Sequence, residues 1–192
     1  MKRPLSLALT VMVLGSSVGA TSPAAGRVLV PRNEVTMNPT PGRVQAALPT
    51  LHLLRTVRVL TDLVARGTLT LDAPARAALR TELQRLAAAP TLGGTAAEQS
   101  RERLLAALTG GQRTQLAQAE AALARRAELL AARARFAAAD GPVNRTAALY
   151  GFQVPGGPAT VQALLERPTL NPYRTPGPNA ALLERLRAAL TP

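Results

Sequence analysis

Apolar side chains recur every three or four residues along most of the chain after residue 50, which predicts α-helices. In the first predicted helix, at about 50–66, Leu53, Val57, Leu60 and Val64 share one face. The same spacing, together with capping residues at the starts and Gly or Pro at the ends, predicts further helices. These lie at about 73–89, 96–107, 110–139 and 179–190.

The longest predicted helix carries a regular apolar stripe. Over 110–139, Leu116, Leu123, Leu130 and Ala137 recur at intervals of seven residues. A sevenfold repeat of this kind is typical of helices that pack along a seam, and small residues in the seam let the partner helix approach closely. We therefore expect Leu123 to lie in the protein core, where a glutamate would cost several kcal/mol.

The helical pattern divides the chain into segments and predicts an all-α fold. Residues 48–140 form a core domain of two α-hairpins, and a C-terminal helix occupies 179–192. Residues 21–47 are rich in Pro, Thr, Gly and Asn without helical periodicity, which predicts an extended or disordered leader. The Pro-rich segment 141–178 is predicted to be irregular, with one short helix at about 159–166.

The N-terminus has the three parts of a secretory signal peptide. Lys2 and Arg3 are positive, Leu5–Leu14 is apolar and uncharged, and a small-residue tail ends at Ala20. The apolar run is shorter than the roughly 20 residues that a spanning helix needs. We therefore predict that residues 1–20 are cleaved and that the protein is periplasmic or secreted, with an uncleaved anchor as the alternative.

Charge adds a second feature to this picture. The formal net charge is +12, and removal of Lys2 and Arg3 with the signal peptide would leave +10. An arginine-rich surface binds the phosphates of nucleic acid, anionic lipids or envelope polymers. The alternative is codon bias in a GC-rich genome, which inflates Ala, Arg, Gly and Pro together, and the scatter of the arginines favours it. The candidate contacts are Arg113, Arg125, Arg126, Arg133 and Arg135 on the long helix, with Arg185 and Arg187 on the last.

Residues suited to catalysis are scarce. The chain has no cysteine, which excludes disulfides, a thiol nucleophile and a zinc–thiolate site. His52 is the only histidine, and we interpret it as a surface residue because one histidine makes neither a triad nor a metal site. Glu120 and Glu128 are interpreted as surface charges rather than a catalytic pair. We predict no enzyme activity, no cofactor and no metal.

A short motif opens the long helix. Leu108, Thr109 and Gln112 fit a capping box, in which threonine and glutamine each bond the other's backbone N–H. A degenerate copy starts at Leu71, 37 residues earlier, with Asp72 as the capping residue. Any two capped amphipathic helices could align this well, so duplication is one of two open interpretations.

Over about residues 50–139 the chain resembles the LTxxQ-motif, Spy-like periplasmic stress proteins, through Leu108, Thr109 and Gln112. The resemblance implies a small helical periplasmic protein, often a dimer, that binds unfolded clients or a sensor domain without ATP. The first functional hypothesis is therefore an exported binding or envelope-stress protein, chaperone-like at most, whose partner is a protein client or an envelope component. The second is a peripheral polyanion binder that uses the arginines listed above.

Overall fold

The computed structural model describes residues 40–135 and 144–191, with only the backbone of Ala134 and Arg135, and this part contains helices and no strands. The predicted all-α class is confirmed. The predicted signal peptide, the leader up to residue 39 and the seam position Ala137 lie outside the described residues. The helices are α1 Pro41–Ala65, α2 Ala73–Ala88, α3 Gly94–Ala106, α4 Gly110–Arg135, α5 Arg145–Gln153, α6 Gly157–Glu166 and α7 Pro178–Ala189.

Helix α1 is the centre of the bundle. Its apolar residues are buried on several sides rather than along the single predicted stripe, with Leu51, Leu54 and Val59 buried as well as Leu53 and Val57. A helix that is apolar all round belongs inside a protein, surrounded by other helices. Helices α3, α4, α5, α6 and α7 all pack against α1.

This central position changes how the helices pair. The two predicted hairpins would place α1 against α2 and α3 against α4, whereas α1 packs most extensively on α3 and α7, and α2 packs on α3 and α7. The single apolar stripe predicted for α1 implies only one partner helix. Because α1 can bury several faces, helices distant in sequence surround it.

Residues 41–47 are helical and form the start of α1, which corrects the prediction that they belong to an extended or disordered leader. Pro41 occupies the first turn, where a missing N–H is harmless, but Pro49 lies inside the helix and removes one backbone hydrogen bond. Val44 and Ala47 are buried in the core on the N-terminal side of Pro49. We infer that burial of these side chains offsets the cost of the internal proline, which the sequence pattern could not weigh.

The stripe along α4 is buried unevenly. Leu116 is 1% exposed, whereas Leu123 and Leu130 are only half-buried and Leu129 is 66% exposed. Leu123 packs against the core from its edge, so its predicted place inside the core is corrected. In a straight helix, positions seven residues apart drift by about 20° per repeat. The stripe therefore turns away from the core after Leu116.

The Pro-rich segment is more regular than predicted. It contains α6, which covers the short helix expected at about 159–166, and also α5, which the sequence analysis missed. Asn144 begins α5 as its N-cap, since its side chain accepts a hydrogen bond from the Ala147 N–H at 3.1 Å. This cap and the apolar residues after it were the available signal. Helix α7 lies within about a residue of its predicted bounds.

The described helices were also searched for membrane spans. None of those within 40–135 and 144–191 combines the length and the apolar character that crossing a bilayer requires.

Candidate functional site

The motif that opens α4 forms the predicted capping box. The backbone N–H of Thr109 donates to Gln112 Oε1 at 2.8 Å, and the N–H of Gln112 donates to Thr109 Oγ1 at 3.3 Å. Leu108 is buried in the core. All three residues of the motif therefore contribute to the start of the helix.

The same motif also fastens α4 to the loop between α1 and α2. Gln112 Nε2 donates to the carbonyl of Thr70 at 2.7 Å, and Gln115 Nε2 donates to the carbonyl of Thr68 at 2.9 Å. These bonds join segments more than 40 residues apart and satisfy carbonyls that no helix uses. The geometry thus gives the motif a structural role.

The predicted basic residues of α4 are split into two places. Arg113 lies 12 residues before Arg125, about 18 Å along the helix axis. Arg125, Arg126 and Arg133 lie within four residues of the exposed Leu129, so their side chains are its neighbours on the helix surface. We call Arg125, Arg126, Leu129 and Arg133 the α4 basic face. The Arg135 side chain lies outside the described residues.

The arginines of the α4 basic face are exposed and make no ion pair with any described residue. Glu128 is exposed beside them and is likewise unpaired. The position of these arginines also has a structural explanation, since positive charge near the C-terminal end of a helix interacts favourably with the helix dipole. On α7, Arg187 pairs with Glu184 at 2.6 Å, whereas Arg185 is exposed and makes no ion pair with the described residues.

A buried charged cluster lies inside the bundle, and the sequence analysis missed it. Glu120 is 8% exposed, which corrects its interpretation as a surface charge. Thr56 Oγ1 donates to Glu120 Oε1 at 2.5 Å, and Nη2 of Arg55 and Nη2 of Arg101 each lie 3.6 Å from Glu120 Oε2. Glu120 follows Leu116 by four residues, on the inward face of α4. The sequence signal for this cluster is an acidic residue on the same face of the helix as the apolar stripe.

The cluster extends from Arg55 to α5. Arg55 Nη1 donates to Gln153 Oε1 at 3.2 Å, and its guanidinium carbon lies 5.9 Å from the ring centre of Tyr150. Arg55 Nε is buried and has no hydrogen-bond partner in the part of the chain that the structure describes. Together with Thr56, Arg101 and Glu120, these residues connect α1, α3, α4 and α5. We call Arg55, Thr56, Arg101, Glu120 and Gln153 the Glu120 cluster. Its contacts hold the four helices together.

A second buried carboxylate connects α2 and α3. Glu82 is 2% exposed and accepts two hydrogen bonds from Arg103, Nε to Oε2 at 2.7 Å and Nη2 to Oε1 at 3.1 Å. Arg85 pairs with the same carboxylate. The hydrogen bond that Arg103 donates to Glu82 raises the pKa of Arg103 above its ordinary value. This pair is a second ionic contact between helices, joining α2 to α3.

His52 belongs to the interior rather than to the surface. It is half-buried in the middle of α1, with its ring centre 5.7 Å from that of Tyr150, which corrects the predicted surface position. Burial, followed by the positive charges of Arg55 and Arg101, lowers the pKa of His52 below its ordinary value of 6.5. The folded protein therefore favours the neutral imidazole of His52. Burial also raises the pKa of Tyr150.

This lowered pKa predicts a pH effect on stability. The unfolded chain takes up the His52 proton as pH falls below about 6.5, before the folded protein does, so the free energy of unfolding should fall there. Urea unfolding of the wild type and of His52→Asn at pH 7.5 and pH 5.5 would measure the effect. The wild type should lose more stability than the variant. An equal loss in both proteins would contradict the assignment.

Comparison with known proteins adds no family assignment. No family model, curated protein or solved structure matches the chain. The similarity to the LTxxQ-motif proteins rests on Leu108, Thr109 and Gln112 and stays a prediction. In the part of the chain that the structure describes, no three His, Asp or Glu residues are grouped as metal ligands.

Proposed function

We propose that this chain is an exported, non-catalytic helical protein of the bacterial envelope, and that it attaches to an anionic membrane surface through the α4 basic face. One observation carries the proposal. Arg125, Arg126 and Arg133 are exposed, unpaired within the described residues, and placed around the exposed Leu129. The export part of the proposal rests on the signal-peptide pattern of residues 1–20.

The contrast with other arginines supports this assignment. Arg55, Arg101 and Arg103 are committed to the buried carboxylates of Glu120 and Glu82. The three arginines of the α4 basic face have no such carboxylate, so their guanidinium groups are available to pair with phosphate oxygens. A membrane is the partner that fits best, because an apolar side chain among arginines can enter the boundary between lipid headgroups and acyl chains.

A chaperone-like role has less support from the surface. Binding of unfolded clients relies on exposed apolar area, and a contiguous apolar patch marks such sites. Among the large hydrophobic residues that the structure describes, Leu129 is the one that is exposed. The surface therefore favours the anionic partner over an unfolded one.

Co-sedimentation with lipid vesicles tests the proposal. Protein expressed from the full-length gene should bind vesicles that contain phosphatidylglycerol and not vesicles of phosphatidylcholine alone, with binding that weakens as salt is raised. Each arginine near an anionic surface contributes about 1 kcal/mol, so the triple variant R125Q/R126Q/R133Q should bind about a hundredfold more weakly. The matched control is R113Q/R145Q/R185Q, which removes three exposed arginines from elsewhere that make no ion pair within the described ranges.

The outcomes separate the hypotheses. Loss confined to the α4 variant supports the proposal. Equal loss in both variants would mean that net charge alone drives binding, and salt-independent binding would mean that charge does not; either result contradicts it. Suppressed aggregation of an unfolded client without vesicle binding would favour the chaperone-like role instead.

A further inference from the structure

A groove opens where the C-terminal end of α2 meets the segment between α6 and α7. Its volume is about 500 Å³, and it is lined by Thr91 after α2 and by Thr169, Asn171 and Thr175 of the other segment. Pro90 and Leu170 add apolar surface to the lining. The groove shares no residue with the α4 basic face.

The groove is held in shape by hydrogen bonds from its own backbone and from Asn171. Asn171, 3% exposed, donates through Nδ2 to the carbonyls of Leu86 at 2.8 Å and Ala89 at 2.7 Å, at the end of α2. The N–H of Leu92 donates to the carbonyl of Thr169 at 2.9 Å. The two Asn171 bonds satisfy carbonyls that the end of α2 leaves open, and all three bonds fix the two sides of the groove relative to each other. A ligand would therefore meet a site that is already formed, which lowers the entropic cost of binding.

The two sides approach so closely that only glycine fits at one point. A Cβ atom at Gly93 would lie 2.6 Å from the carbonyl oxygen of Pro168, which is closer than carbon and oxygen can pack. This close approach joins the loop after α2 to the segment after α6. It explains how a loop region rich in proline can form a defined site.

The polar lining of the groove is positive, and apart from Asn171 its side chains have no partner among the described residues. Arg167 and Arg174 line it, both are exposed, and neither pairs with a described acidic residue. Thr91, Thr169 and Thr175 also line the groove, and their hydroxyls make no hydrogen bond with the described residues. No carboxylate is among the lining residues. The residues that line the groove thus include two arginines and three threonines, whose side chains can donate hydrogen bonds to an anion.

We propose that this groove binds a phosphate monoester, that is, a phosphate group on a small organic body. A phosphate monoester has three terminal oxygens and a charge between −1 and −2 near neutral pH, which suits two arginines together with hydroxyl donors. A carboxylate has two oxygens and one charge, and a single guanidinium fork satisfies it. Pro90 and Leu170 supply apolar contact for the organic body. The proposal does not depend on the membrane attachment.

Titration with phenyl phosphate, inorganic phosphate and benzoate tests this site. Protein expressed from the full-length gene would be followed by calorimetry and by amide chemical shifts in NMR spectra. Phenyl phosphate should bind most tightly and should shift the amides of Thr91, Thr169, Asn171 and Arg174. Inorganic phosphate should bind the same site more weakly because it lacks the apolar body, and benzoate should bind at least about tenfold more weakly than phenyl phosphate.

Paired variants show whether the arginines are responsible. R167Q/R174Q should weaken phenyl phosphate binding at least about tenfold, because the loss of even one charged contact worth about 1.4 kcal/mol corresponds to that factor. The control R125Q/R126Q removes the same charge from α4 and should leave the affinity unchanged. Melting temperatures should match in all three proteins because these side chains have no partners among the described residues.

Several results would overturn the proposal. These are the absence of shifts in the groove, equal binding of benzoate and phenyl phosphate, tighter binding of inorganic phosphate than of phenyl phosphate, or equal losses in both variants. Vesicle binding by R167Q/R174Q gives an independent readout. It should be retained, so a failure at the groove and a failure of membrane attachment are distinguishable.

Discussion

Glu120→Gln should lower the free energy of unfolding by about 2 kcal/mol. The substitution keeps the size of the side chain but removes the negative charge that faces Arg55 and Arg101 inside the bundle. Loss of one partner from a fully buried ion pair costs about 3 to 5 kcal/mol. We expect less here because the Arg55 and Arg101 side chains are 19% and 33% exposed and therefore partly hydrated. Urea unfolding followed by circular dichroism measures the change.

The same helix provides the control for this experiment. Glu128 is exposed and forms no ion pair within the described residues, so Glu128→Gln should change stability by less than about 0.5 kcal/mol. Both substitutions change the net charge equally. If they had the same effect, long-range charge rather than the Glu120 cluster would set the stability.

Leu116→Ala should cost about 3 kcal/mol, the largest effect among leucine-to-alanine substitutions along α4. Leu116 is 1% exposed, so truncation would remove core contacts and leave a cavity. Leu123→Ala should cost about 1 kcal/mol, because that residue packs only at the edge of the core. Leu129→Ala should change stability by less than about 0.5 kcal/mol, since the side chain is 66% exposed. Thermal or urea unfolding of the three variants measures the series.

The order of the three values tests the rotation of α4 about its axis. An alanine at Leu129 that cost as much as one at Leu116 would show that the exposed face is wrongly assigned. The α4 basic face would then be buried, and the proposed function would lose its basis.

Sequence reasoning predicted the features that local interactions determine. The bounds of α2 and the capping box at Thr109 and Gln112 depend on residues close together in the chain, and the structure confirms both. Asp72 caps α2 as predicted, accepting a hydrogen bond from the N–H of Ala75 at 2.8 Å.

The features that were missed depend on distant contacts. Residues 41–47 are helical because their side chains are buried by helices from later in the chain, which no local pattern reports. Glu120 is buried because Arg55 and Arg101 approach it from α1 and α3. The groove beside Asn171 could not be predicted from the sequence for the same reason, since it joins segments about 80 residues apart.

Fluorescence from a single labelled position tests membrane attachment through the α4 basic face most directly. The chain contains no cysteine, so Ala132→Cys, on the exposed surface three residues from Leu129, would carry the only environment-sensitive dye. Ala188→Cys on the exposed surface of α7 is the control. Vesicles containing phosphatidylglycerol should shift the emission of the dye at position 132 to the blue and leave that at position 188 unchanged. A shift at position 188 alone, or at neither position while the protein binds, would contradict the account.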